Sequence, residues 1–250
     1  MVVLSQPILD NLAHFETCKS TSDIFTDIPI MDLSGPNCKT LIVEACKEFG
    51  FFKLINHGVS MELLNRFEAE AVKFFQLPQE EKDKLGPPNP FGYGNKKIGP
   101  NGDVGWVEYL LFCTNDAKAI FLEFQKLYGK RCLVKGYVSA IKNMACEVLE
   151  MIADELQIGP KNVLSKLISD EKSDSCFRLN YYPPCPELQA LSGRHLIGFG
   201  EHTDPQIISV LRSTNTSGLQ ICLRDGSWVS VPPDHTSFFF NVGDSLQVIV

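Results

Sequence analysis

A change in periodicity near residue 173 constrains the fold of this chain more than any other feature. Before it, apolar residues recur at every third or fourth position, which is the spacing of an amphipathic helix. Glycine or proline follows where the first two of these segments stop, as expected at helix ends. The spacing predicts helices over residues 39–49, 61–75, 120–156 and 163–168.

After residue 173 the sequence consists of short strand-like segments separated by turns. Asp225-Gly226 is a dipeptide typical of a tight β-hairpin. Helices followed by strands favour a mainly β fold with N-terminal helices, in which an antiparallel sandwich or jelly roll is supported by the helical part. The predicted strands are 176–182, 206–211, 218–223, 228–231 and 237–241, with two earlier ones at 28–34 and 51–56.

Residues 86–105 differ from both parts because they contain six glycines and four prolines. This composition predicts a loop with few regular hydrogen bonds. Loops of this length are often functional, which makes the segment a candidate for a role in binding.

Composition argues against two classes of partner. The net charge of −7 disfavours nucleic acid, because proteins that bind it carry a basic surplus that neutralises phosphates. The longest apolar runs fall short of the roughly 20 residues that span a bilayer, and the first residues lack the basic region and apolar core of a signal peptide. We therefore expect a cytoplasmic protein, with the nucleus as an open alternative.

The nine cysteines are odd in number and form no Cys-x-x-Cys pair, so reduced thiols are expected.

One histidine and one carboxylate two residues apart form the candidate metal site. In His202-Thr203-Asp204, strand alternation would point both side chains to the same face, where they could bind one cation. Two histidines and one carboxylate with open positions are the recurring ligands of Fe(II) enzymes that activate oxygen. The pair alone is weak evidence for a metal site, because it occurs by chance in many chains and then usually marks a surface turn.

The surrounding residues carry a resemblance to a known family. Residues 178–186, Arg-Leu-Asn-Tyr-Tyr-Pro-Pro-Cys-Pro, precede the His-x-Asp pair, and residues 28–33 and 50–58 add two N-terminal motifs. Together they resemble the plant 2-oxoglutarate-dependent dioxygenases over nearly the whole chain. Within that family the sequence is most similar to the gibberellin 2-oxidases, at residues 89–106, 200–209 and 226–233.

The resemblance implies a fold and a reaction. The fold is a double-stranded β-helix, or jelly roll, with an N-terminal extension at 1–27, a mostly helical region at 28–172 and a partial catalytic domain at 173–250. The reaction is the C-2 hydroxylation of a gibberellin by O2, which inactivates this hormone while 2-oxoglutarate is oxidised to succinate and CO2.

The resemblance also assigns the site residues. His202 and Asp204 would bind Fe(II), and no catalytic residue is expected beyond the metal ligands. Tyr182 would hydrogen-bond a carboxylate of 2-oxoglutarate, with Asn180 close beside it. Ascorbate would keep the iron reduced.

The family pattern continues where this sequence stops. In relatives a second histidine ligand follows, and then an Arg-x-Ser that binds the distal carboxylate of 2-oxoglutarate, and neither occurs before Val250. We therefore expect a jelly roll that is incomplete at the C-terminus, with residues 237–250 as an exposed apolar edge. The alternative to an enzyme is a truncated, non-catalytic remnant, impaired or inactive because two protein ligands hold a divalent ion poorly.

Three further residues are candidates for contact with the substrate. Lys96 and Lys97 could pair with a gibberellin carboxylate, and Trp106 could contact the ring skeleton. The alternative is a pair of solvated lysines and a tryptophan that anchors the core. Among the remaining histidines, His57 is assigned to a hydrogen-bonded structural role and His235 to a solvated turn.

Overall fold

The computed structural model describes residues 17–19, 24–86, 90–97, 104–114, 131–184 and 194–250. These form two compact units. The described residues of the first unit lie within 1–20, 70–129 and 176–201, and those of the second lie within 21–69, 130–175 and 202–250. Within the described ranges, no helix is long and apolar enough to span a membrane.

The described elements follow one another along the chain in the order given next. They are β1 (Thr17–Lys19), β2 (Ile30–Asp32), α1 (Cys38–Glu48), β3 (Phe51–Ile55), α2 (Met61–Phe75), α3 (Gln79–Asp83), β4 (Gly92–Lys97), β5 (Val104–Cys113), α4 (Arg131–Glu155), α5 (Val163–Ser169), β6 (Cys176–Tyr181), β7 (Arg194–Leu196), β8 (Ile208–Leu211), β9 (Gln220–Cys222), β10 (Trp228–Ser230), β11 (Phe238–Val242) and α6 (Asp244–Gln247).

The first unit contains an antiparallel three-stranded sheet in which β5 lies between β4 and β6. Across β5 and β6, Glu108 is opposite Tyr181 and Tyr109 is opposite Asn180. Because side chains alternate along a strand, the Glu108 pair and the Tyr109 pair lie on opposite faces. A separate two-stranded pairing joins β1 to β7 in the same unit.

A buried ion pair occupies the Glu108 face of this sheet. Lys82 Nζ lies 2.5 Å from Glu108 Oε2, and the two side chains are only 5% and 13% exposed. The Tyr93 hydroxyl donates to the same carboxylate oxygen at 2.7 Å. Burial, together with Glu108, raises the pKa of Tyr93. The charge of Glu108 is therefore compensated on its own face of the sheet.

The second unit is built on a four-stranded sheet with the order β2-β3-β11-β8. Strands β2 and β3 are parallel, whereas β11 is antiparallel to both of its neighbours. On one face Phe52 and Phe240 are fully buried, and their rings stack with centroids 5.0 Å apart. Helix α1 packs against β3 and against α4, so this unit combines helices with its sheet.

The opposite face of that sheet carries a compact apolar cluster. Phe51 and Phe239 stack there at 5.6 Å, and Ile221 and Val229 from the hairpin β9–β10 complete the cluster with Ile28 and Val231. The hairpin turns at Gly226, whose φ of 83° lies in the left-handed region that glycine adopts without strain. The predicted Asp-Gly turn is confirmed.

Two expectations about the backbone are wrong. Residues 86–105 are not simply a loop, because they contain β4, which pairs with β5 in spite of its glycines. A Cβ on Gly94 would collide with the ring of Tyr109, so glycine is what allows the two strands to pair at this point.

The expected apolar edge at 237–250 is also not observed. Strand β11 lies between β3 and β8, and Phe238, Phe239, Phe240 and Leu246 are buried. Within this segment, the exposed apolar side chains are Val248 and Ile249.

Candidate active site

His202 and Asp204 lie together in the second unit. The imidazole Nε2 is 3.7 Å from Asp204 Oδ1, and the side chains are 50% and 19% exposed. Both can therefore contact one cation that enters from solvent. Strand alternation, which was expected to bring the two side chains together, is not the cause of their proximity. The pair precedes β8 in an irregular segment and does not lie within a strand.

Four hydrogen bonds fasten this segment to the turn that begins at Gly243. The backbone N–H of Asp244 donates to the Asp204 carbonyl at 2.7 Å, and that of Gly243 donates to the Ile207 carbonyl at 3.1 Å. The Thr203 hydroxyl donates to Asp244 Oδ2 at 2.9 Å, and the Ser245 hydroxyl donates to the Pro205 carbonyl at 2.7 Å. The backbone of the His-x-Asp segment is thus held on both sides of Asp204.

Gly243 is the point of closest approach in this arrangement. A Cβ at this position would overlap the carbonyl oxygen of Gln206 and press on that of Asp204. Both atoms belong to the backbone, so neither can turn aside as a flexible side chain would. Only glycine fits here without moving the segment.

The Asp204 carboxylate has a second partner in β11. Asn241 Nδ2 lies 3.4 Å from Asp204 Oδ2, which leaves Oδ1 as the oxygen next to His202. Asn241 lies on the same face of the sheet as the Phe239 cluster. The amide therefore orients the carboxylate, as partners of metal ligands commonly do.

The donor atoms fit a metal of the iron type. One imidazole nitrogen and one carboxylate oxygen belong to the ligand set of non-haem Fe(II) sites. In the described part of the chain no cluster of three His, Cys, Asp or Glu side chains could hold a metal ion. His202 and Asp204 thus supply two donors of the predicted set.

The predicted co-substrate residues lie in the first unit. Asn180 and Tyr182 are exposed, and Tyr182 has 52% of its surface accessible. The ring of Tyr182 lies so close to Gly198 that a Cβ there would overlap it. This packing fixes the ring while leaving much of the side chain accessible to a ligand.

A residue that the sequence did not single out, Arg178, lies beside them. Its Nε donates to Asn180 Oδ1 at 2.8 Å, and its guanidinium carbon is 4.1 Å from the centre of the Tyr109 ring and 4.6 Å from that of Phe199. Arg178 and Asn180 are two apart in β6, so they share a face. That spacing is the one signal by which the sequence could have indicated their contact.

The three candidate substrate residues are placed differently. Trp106 is buried, and its indole N–H donates to the Pro183 carbonyl at 2.7 Å, a contact that fits the structural alternative. Lys96 and Lys97 lie at the end of β4, and their side chains are outside the described part of the chain. Contact of any of the three with a substrate stays a prediction.

His57 and His235 lie in the environments that the sequence predicted for them. His57 is buried, accepts the Val59 N–H at Nδ1, and has Nε2 3.1 Å from the Thr236 carbonyl, to which its N–H donates in the neutral tautomer. Burial lowers the pKa of His57. His235 is exposed in its turn. The thiols of Cys38, Cys46, Cys113, Cys146, Cys176 and Cys222 form no disulfide.

Two family models match the chain. Residues 173–250 match the 2OG-Fe(II) oxygenase superfamily, and residues 28–128 match the N-terminal model described as non-haem dioxygenase in morphine synthesis. Among solved structures, the dioxygenase for auxin oxidation 1 from Arabidopsis thaliana, in complex with 2-oxoglutarate, superposes with a TM-score of 0.73 at 23% identity. The superposition covers 88% of this chain and 81% of the solved one. This similarity shows that the fold is the jelly roll of 2-oxoglutarate oxygenases.

Two curated relatives are much more similar in sequence. A gibberellin 2-beta-dioxygenase of Phaseolus coccineus is 61% identical over 253 residues, covering 100% of this chain and 76% of that protein. Gibberellin 2-beta-dioxygenase 1 of Pisum sativum is 58% identical over 249 residues with the same coverage. The chain therefore belongs to the 2OG-Fe(II) oxygenase superfamily and, within it, to the gibberellin 2-beta-dioxygenase family.

Proposed function

We propose that this protein hydroxylates gibberellins at C-2, with O2 and 2-oxoglutarate as co-substrates and Fe(II) as the metal. The observation that carries the proposal is the 61% identity to a gibberellin 2-beta-dioxygenase along the full length of this chain. The proximity of His202 and Asp204 supports it, because an imidazole and a carboxylate are suitable donors for Fe(II).

In this proposal the chain contributes two groups of residues. His202 and Asp204 would hold Fe(II), which when bound supplies the redox chemistry that couples the oxidation of 2-oxoglutarate to hydroxylation. Asn241 restrains Asp204 Oδ2, so Oδ1 remains directed towards the side of His202. The turn at Gly243 fixes the backbone of both ligands before the metal binds, which lowers the cost of ordering them.

The second group would bind the co-substrate. The Tyr182 hydroxyl would donate to a carboxylate of 2-oxoglutarate, and Asn180 would lie beside it. The exposure of both side chains, and the packing of the Tyr182 ring at Gly198, support this role. Sequence resemblance, and not a distance, assigns the two groups to one reaction. Ascorbate would keep the iron reduced, and the proposed location is the cytoplasm.

The truncated-remnant alternative is not better supported than the enzyme by these observations. It rests on residues that relatives have after the position of Val250, and the chain spans 76% of the length of its Phaseolus coccineus relative. The structure instead shows β11 paired on both sides and the His-x-Asp segment held in place.

A panel of acids tests the proposal. The protein, loaded with Fe(II), ascorbate and 2-oxoglutarate in air, is given a gibberellin, an auxin or a jasmonate, and succinate is measured. We expect the gibberellin to raise succinate release well above the rate without substrate, and the other two acids to leave it unchanged. Stimulation by the auxin or the jasmonate instead of the gibberellin would refute the substrate assignment.

A further inference from the structure

Arg178 is a cation without an anion in the part of the chain that the structure describes. Its Nη2 is buried and has no hydrogen-bond partner, and its one described side-chain bond goes to the neutral amide of Asn180. The guanidinium lies over the ring of Tyr109 and over the ring of Phe199. Burial lowers the pKa of Arg178, the direction expected for a cation that has lost water without gaining a carboxylate.

The sheet itself cannot supply the missing anion. Across β4, β5 and β6 the only acidic residue is Glu108. It lies on the opposite face from Tyr109 and is already paired with Lys82 and Tyr93. Arg178 therefore has a charge and a donor nitrogen available on a face that carries no acid.

Such an arrangement is costly unless a ligand completes it. A buried donor left unpaired loses the hydrogen bonds that water would have made, and a buried charge is usually compensated by a partner. Arginine suits this task because its planar fork stacks on aromatic rings while its outer N–H groups bind a carboxylate. The two rings hold the fork in one orientation before any ligand arrives.

We propose that Arg178 anchors the carboxylate of the gibberellin substrate. This inference rests on the proposed function and adds a specificity-determining residue to it. The shared chemistry is that of a carboxylate, which 2-oxoglutarate also carries. The gibberellin is favoured because the partly exposed Phe199 and Leu111 provide an apolar surface beside the guanidinium, which matches a ring skeleton better than two methylene groups. Arg178 thereby takes the role that the sequence suggested for Lys96 and Lys97.

Binding of a gibberellin and of its methyl ester tests the assignment. The ester removes the negative charge and keeps the skeleton. Isothermal titration calorimetry is carried out anaerobically on the protein with Fe(II) and 2-oxoglutarate, so that no turnover occurs. We expect the wild type to bind the acid roughly 10- to 100-fold more tightly than the ester, the range for a hydrogen bond to a charged group.

Arg178→Met should bind acid and ester with equal affinity, close to that of wild type for the ester. Arg178→Lys should retain part of the preference, because it keeps the charge and loses the planar fork. Arg66→Met is the matched control, since Arg66 is an exposed arginine paired with Glu62 on α2, and it should keep the full preference. Circular dichroism confirms that each variant is folded.

Three results would overturn the assignment. The first is a wild-type protein that binds the acid and the ester with equal affinity. This result does not depend on the folding of any variant. The second is an Arg178→Met protein that keeps the preference, or a preference that disappears in Lys96→Met or Lys97→Met instead. The third is an Arg178→Met protein that loses affinity only for 2-oxoglutarate. A wild type that binds and hydroxylates gibberellin leaves the proposed function intact in each case, whereas failure to bind the acid at all refutes that function.

Discussion

Replacing Gly243 by alanine tests whether the turn after β11 positions the candidate metal ligands. The added Cβ would overlap the carbonyl oxygen of Gln206, which belongs to the backbone two residues after Asp204. The chain can keep its hydrogen bonds under strain, or it can move the segment and lose them. Either response acts on the residues that would hold the metal.

Both responses have a similar cost. Overpacking of a methyl group into a tight site costs about 1–3 kcal/mol. Moving the segment breaks the bonds from Gly243 N–H to Ile207 and from Asp244 N–H to Asp204, at about 0.5–1.5 kcal/mol each. The free energy of unfolding should therefore fall by about 1–3 kcal/mol, which corresponds to roughly 2–12 °C in Tm for a chain of this size. Loss of ligand positioning should weaken Fe(II) binding by about 10- to 100-fold.

Thermal unfolding and anaerobic Fe(II) titration measure the two effects. Gly218→Ala is the control, because a Cβ at Gly218 meets no atom within 4 Å and its φ is not in the left-handed region. It should leave both quantities unchanged. A Gly243→Ala protein with the Tm and the Fe(II) affinity of wild type would refute the reasoning.

Three further predictions concern stability. Lys82→Met leaves Glu108 buried without its cation and should lower the free energy of unfolding, measured in urea, by about 3–5 kcal/mol. Adding Glu108→Leu to this variant should recover part of the loss. Additive effects of the two substitutions would contradict the pairing. Phe240→Ala should cost about 3–5 kcal/mol because its ring is fully buried, whereas Val248→Ala, at 86% exposure, should stay within about 0.5 kcal/mol; equal costs would contradict the central position of β11. Burial lowers the pKa of His57 in the folded state, so the unfolded state binds more protons and stability should fall as the pH drops below about 6.5. His57→Gln should therefore show a smaller loss between pH 7.5 and 5.5 than wild type, and an identical loss would refute this account.

Local patterns predicted the elements whose signals are local. Helix α2 occupies residues 61–75 as expected, because its apolar residues recur on one side and Pro78 prevents its continuation. The Asp225-Gly226 turn followed from its dipeptide alone. Strand β4 could not be predicted in this way, because its glycines disfavour a strand and its stability comes from pairing with β5.

The candidate site also combines features that local patterns predict with features that depend on distant residues. The sequence indicates His202 and Asp204 through their spacing, but the bonds that hold them come from Asn241, Gly243 and Asp244, about 40 residues further along the chain. No local signal marks Arg178, because an arginine in a strand ordinarily points to solvent. The contacts of its guanidinium with the rings of Tyr109 and Phe199 depend on tertiary packing that no local pattern encodes.

Identification of the product tests the central claim most directly. The protein is incubated in air with a gibberellin, Fe(II), ascorbate and 2-oxoglutarate, and the product is analysed by mass spectrometry and NMR. We predict a gibberellin with one added oxygen as a hydroxyl at C-2, formed together with an equimolar amount of succinate, and loss of this product in Asp204→Ala. Hydroxylation at another carbon, or equal product formation by Asp204→Ala, would contradict the account.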